Sequence, residues 1–109
     1  MGPIETTLSR AYALIEDPKH HCVGGYAEDE SGSSANSESD HAVRWCVLGA
    51  IRRVAGAYTK DEEAVNNFLR SVSTAWLKEV APIVNDLMGH LPTLCLLKTA
   101  IAEAREQGL

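Results

Sequence analysis

The chain has 109 residues, 45% of them apolar, and a formal charge of −5. That length makes one domain, residues 1–109, with enough buried surface to need no staple. The charge argues against a protein that grips a nucleic-acid backbone, which needs a basic face to displace counterions, although Arg44, Arg52 and Arg53 supply a local basic patch. No apolar run approaches the roughly 20 residues that span a bilayer, and the N-terminus lacks the basic-then-apolar pattern of a signal peptide. The three cysteines, Cys22, Cys46 and Cys95, are an odd number and imply no disulfide framework. Free thiols suit a reducing compartment, so the expectation is a cytoplasmic protein with no membrane contact.

In chain order, Ile4, Leu8, Ala11 and Ile15 recur at helical spacing and predict a first helix over 4–16. Asp17-Pro18 stops it, because proline disfavours a helical residue before it. Residues 19–40 read as an irregular arm. Gly24-Gly25 punctuates it, and Cys22-Val23 with Tyr26-Ala27 suggest a short strand or hairpin. Within the arm, 28–40 is acidic and Ser-rich, with little to bury, and is expected to be a flexible connector.

A second helix is predicted over 41–56, with Asp40 as its N-cap, Arg52 and Arg53 at the end where positive charge suits the dipole, and Gly56 as the stop. Thr59 and Glu62 have capping-box spacing and open a third helix. Its apolar stripe is Val65, Phe68, Leu69, Val72, Trp76 and Val80, and Pro82 should kink or end it. "IVNDLMGH" allows about one helical turn and a bend at Gly89. The last helix, 92–106, has Pro92 in its first turn, Leu94, Leu97, Ile101 and Ala104 on its buried face, and Gly108 just past its end. The expected fold is mainly α: a compact bundle of about four helices with the arm at 19–40 packed on one side.

The stretch "DHAVRWCVLGAIRRV" raises the question of Cys46. On a helix begun at Asp40 it lies well inside, among Ala42, Gly49 and Ala50, where a thiol packs as a small inert apolar group. The alternative is an activated thiolate, with His21 or His90 as base and Asp86 as orienting acid. Zinc held by Cys22, His20 or His21, and Cys46 or Cys95 would need paired ligand spacings that the chain lacks, so no metal or cofactor is assigned. Gly24-Gly25 is too short for a phosphate loop. Asn85-Asp86 is an Asx pair suited to closing a turn. Trp45, if exposed, is the natural interface anchor.

Three elements carry a resemblance: "GGYAEDESG", "AVRWCVLGAI", and "NDLMGH" followed by the apolar helix "LCLLKTAIAEA". In this order, from about residue 22 to 104, they resemble a family of small uncharacterised bacterial and phage proteins catalogued as a domain of unknown function. That family's pattern has a Trp before Asn-Asp, where this chain has Val84, and residues 57–80 differ in detail. The resemblance implies a mainly helical fold and a phage or mobile-element origin, and it carries no activity. It suggests that Tyr26, Asp29, Trp45, Cys46, Asn85 and Asp86 converge. The functional expectation is a small acidic, non-enzymatic module that binds and masks a protein partner, one form being a phage-encoded inhibitor of a host defence system in the manner of anti-CRISPR proteins. The alternative is a thiol-dependent enzyme or sensor using Cys46.

Overall fold

The computed structural model describes residues 1–109, and it is mainly helical. Helix α1 spans Pro3–Ile15, with proline at its start and Leu8, Ala11 and Ile15 fully buried on one face. Two of its free N–H groups, those of Ile4 and Glu5, donate to the Leu109 carbonyl at the far end of the chain (2.7 and 3.3 Å). Asp17 then caps a 3-10 turn over Pro18–His20 by accepting from the Lys19 amide at 2.9 Å.

The arm supplies one short strand, β1 (Ala27–Glu28), and its antiparallel partner is not Cys22-Val23 but β2 (Arg44–Trp45), beyond the arm in the stretch expected to be helical, with Ala27 opposite Trp45 and Glu28 opposite Arg44. Glu28 and Arg44 are also ion-paired at 2.6 Å. The Cys22 amide donates to the Trp45 carbonyl and the Cys46 amide to the Tyr26 carbonyl, each at 3.1 Å, so the arm is laced to the start of the next helix. Between the strands the chain turns on Asx motifs. One Asp29 carboxylate oxygen accepts from the Ser31 and Ser33 amides, and Asn36 accepts from Glu38. The stretch does have one anchor in the core: Ser37 is buried, and its carbonyl accepts from the Trp45 indole at 3.0 Å and from Arg53.

Helix α2 spans Val47–Ala55, not 41–56. The residues before it are taken by other partners: Ala42 N–H goes to Ser39, Val43 N–H to Glu28, and Arg44–Trp45 to the strand pair. Asp40 therefore caps nothing, and Cys46 is the N-cap. Helix α3 spans Lys60–Leu77 and starts as its capping pair predicts: Thr59 Oγ1 accepts from the Glu62 amide at 3.0 Å. Val65, Leu69 and Val72 are buried, but the stripe leaves the core in the last turn, and Trp76 is 64% exposed. The helix ends at Lys78, in the left-handed region.

Pro82 opens a helix instead of ending one. It sits in the first turn of the short α4 (Ala81–Ile83), where proline's missing N–H costs nothing. This is the fifth helix beyond the four expected. It runs into a π-helical turn, Val84–Met88, closed by the Gly89 amide on the Val84 carbonyl. Helix α5 spans His90–Gln107. Helix α1 packs against both α2 and α5, and α3 closes the bundle against the same three. The core is Leu8, Ile15, Val47, Ile51, Val65, Leu69, Val84 and Leu97, all with no exposed surface.

Candidate functional site

The π-helical turn carries Asn85 into the interior, where it is fully buried. Its Oδ1 accepts from the Val47 amide at 2.9 Å and from His21 Nε2 at 2.7 Å. Its Nδ2 donates to the Cys22 carbonyl at 3.1 Å and to Asp86 Oδ1 at 3.0 Å. All four hydrogen-bonding positions of the amide are used. The Val47 N–H can only donate and the Cys22 carbonyl can only accept, so the amide has one orientation, and His21 must donate through Nε2. Asp86 also accepts from the Gly24 amide at 3.0 Å, tying the glycine turn of the arm to the same place.

His90 stands beside His21, ring centres 5.0 Å apart, and donates through Nε2 to the Ile15 carbonyl at 2.7 Å. Burial lowers the His21 pKa below its ordinary value; the Asn85 bond and nearby Asp86 oppose the shift, and His90 adds to it. Asn85 and His21 thus join the arm to α2 and the π-turn, and every one of these contacts is already satisfied within the fold. No group of three or more His, Cys, Asp or Glu side chains is placed to hold a metal ion.

Cys46 is at the first turn of α2, where its Sγ accepts from the Gly49 amide at 3.3 Å. Neither His21 nor His90 is hydrogen-bonded to it, since their Nε2 atoms serve Asn85 and Ile15. Burial raises its thiol pKa despite the helix amides, and pushes the neighbouring Cys22 up to about 12. Both thiols are protonated and enclosed near neutral pH. Cys95 is the exposed cysteine.

Of the residues expected to converge, Asn85, Asp86 and Cys46 gather at the start of α2, with Tyr26 joined to Cys46 through its carbonyl. Asp29 turns away into its own loop. Trp45 is buried, its indole spent on Ser37, so it is a core residue and not a surface anchor. Gly49 explains how close the arm lies: a Cβ there would come within 1.8 Å of the Tyr26 carbonyl oxygen.

The exposed feature nearest this junction is one that sequence reasoning missed. The Arg52 guanidinium lies between two tyrosine rings, 4.3 Å from the centre of Tyr26 and 4.9 Å from that of Tyr58. Its Nε donates to the buried Glu62 at 2.7 Å, and the other Glu62 oxygen accepts from the Tyr58 amide at 2.8 Å. Tyr58 is held at φ +61, a conformation most residues avoid, while its side chain is 88% exposed. Beside the stack is a groove of about 290 Å³, walled by Ser34, Asn36, Ser37 and Ala57. Glu62 was legible as a capping residue, but here it fixes both members of the surface pair.

The model of a family of unknown function, DUF6197, matches residues 1–103. The chain belongs to the DUF6197 family. The match takes in α1 and the middle segment 57–80 as well as the elements that carried the resemblance, as far as Glu103. No curated protein and no solved structure matches this DUF6197 chain.

Proposed function

We propose that this DUF6197 protein is a non-enzymatic binding module whose contact surface is the Tyr26–Arg52–Tyr58 stack and its groove. One observation carries the reading: Tyr58 is locked in an unfavourable backbone conformation by Glu62 while its ring faces water. Backbone strain at an exposed side chain serves nothing in the core, and such strain gathers at binding surfaces. Tyr and Arg are the residues that anchor protein interfaces, and a prefixed stack loses little entropy on docking. The charge is consistent with a protein partner having a complementary basic surface. One concrete form is a cytoplasmic, phage-encoded inhibitor that masks a host defence complex, such as a CRISPR effector.

The burial and raised pKa of Cys46 count against the rival reading, a thiol-dependent enzyme or sensor. The test places a photo-crosslinking residue at position 58 and compares the native chain with Tyr58→Ala in pull-downs. The expected result is a protein crosslinked at position 58, whose affinity falls at least about 30-fold in Tyr58→Ala, as for an interface hot spot. A partner that binds both forms equally would sink the reading.

A further inference from the structure

The chain carries 15 acidic and 10 basic side chains, so carboxylates are in surplus. Arg44, Arg52 and Arg105 each pair with one, at 2.6–2.7 Å. Arg10 and Arg53 have none, and both line the same groove. Arg10, Ala13 and Leu14 of α1 and Arg53 and Val54 of α2 enclose about 490 Å³, with no acidic residue among them. Leu14 and Val54 pack half-buried against the core and form the apolar floor. Arg10 is exposed and makes neither an ion pair nor a side-chain hydrogen bond. Arg53 is held in place: its Nη1 donates to the Ser37 and Ser39 carbonyls at 3.3 and 2.8 Å, and its guanidinium lies 5.6 Å from the centre of the Trp45 ring. Those partners are neutral, so they fix its orientation and leave its charge uncompensated. The C-terminus of α2 favours a cation at Arg53, but its roughly half charge neither neutralises a guanidinium nor accounts for Arg10, which precedes the last turn of α1.

We propose that this groove binds a short acidic segment of a protein partner, a carboxylate meeting Arg10 and Arg53 while a neighbouring apolar side chain rests on Leu14 and Val54. The flat, always-charged fork of arginine matches a carboxylate, and the fixed Arg53 loses little freedom when one docks. The floor is three apolar side chains, the small Ala13 among them, enough to cover one apolar side chain and too little to bury an acyl chain. The formal charge of −5 tells against a nucleic acid or an anionic membrane, whose charges continue past the groove onto an acidic surface. A short segment brings its charge to the two arginines alone. The site is separate from the tyrosine stack and does not depend on it.

The test is selection of binders from a displayed library of random dodecapeptides on the full chain, followed by fluorescence anisotropy with the leading peptide. The native chain should select peptides with Asp or Glu beside Leu, Ile or Phe. Arg10→Gln should weaken the leading peptide at least about 10-fold, the loss of one charge-assisted hydrogen bond. Ala13→Glu sets a carboxylate in the groove itself and should weaken it as much. Both positions are exposed, so both variants should fold, which circular dichroism and urea midpoints check. Tyr58→Ala should hold the peptide as the native chain does. A native chain that selects no acidic–apolar peptides overturns the proposal, as does a leading peptide that either variant holds as tightly as the native chain. So does cosedimentation of the native chain with phosphatidylglycerol vesicles that Arg10→Gln abolishes, since the groove would then serve a lipid headgroup.

Discussion

Asn85 does the work of several residues with one side chain. It caps the start of α2, holds the carbonyl of Cys22, and fixes the ring of His21. Truncating it to Ala leaves a buried N–H and a buried carbonyl without partners, each costing about 1–3 kcal/mol. Asn85→Ala should therefore lower the unfolding free energy by about 3 kcal/mol or more in urea titrations; a loss under about 1 kcal/mol would mean water replaces the amide. His21 gives the site its pH dependence. Its folded pKa lies below the ordinary 6.5, mainly through burial, and the groups facing it are Asn85, His90 and Asp86. In the window between that lowered value and 6.5 the unfolded chain binds more protons than the folded one. Stability is thus present above 6.5 and drains away as pH falls through the window. Urea midpoints should drop from about pH 7.5 to about pH 5.5, and His21→Gln, which still offers a donor to Asn85, should show a smaller drop. An unchanged midpoint in the native chain would show that His21 titrates normally when folded.

At the scale of elements, what was legible in the sequence was local. Thr59 and Glu62 announce the start of α3, Asp17-Pro18 ends α1, and Pro92 lies in the first turn of α5 with Gly108 past its end, because capping and proline chemistry act within one turn, although α5 starts at His90, two residues before the predicted 92. What was illegible depends on partners far along the chain. The apolar spacing of residues 41–54 suits a helix, yet Arg44–Trp45 pairs with Ala27–Glu28 and delays the helix to Val47. That shift moves Cys46 from a helix interior to a cap, where a hydroxyl in its place would find the Gly49 amide waiting. Trp76 matched the apolar stripe of α3, but a stripe says which side faces the core, not where the core ends. Asn85 was identifiable as a turn former. Its contact with Val47, 38 residues away, depends on a π-turn that no spacing rule forecasts.

Over the whole molecule, two surfaces of different character stand apart from a closed polar junction. One is a stacked Tyr–Arg–Tyr set by a buried glutamate, and the other is the groove of Arg10 and Arg53 between α1 and α2. The junction beneath the first surface has no clearance, since the Tyr26 carbonyl occupies the space a side chain at Gly49 would take. The arm and α2 therefore cannot separate by small steps; any gap breaks the Cys46–Tyr26 bond and bares the helix start together. They should open as one cooperative unit. In hydrogen exchange, the amides of Cys22, Cys46 and Val47 should report one common opening free energy, and Gly49→Ala should lower it for all three alike. If Cys22 exchanged well before Val47, the arm would be a separate flap, and the tyrosine it carries would not be held against Arg52 for long.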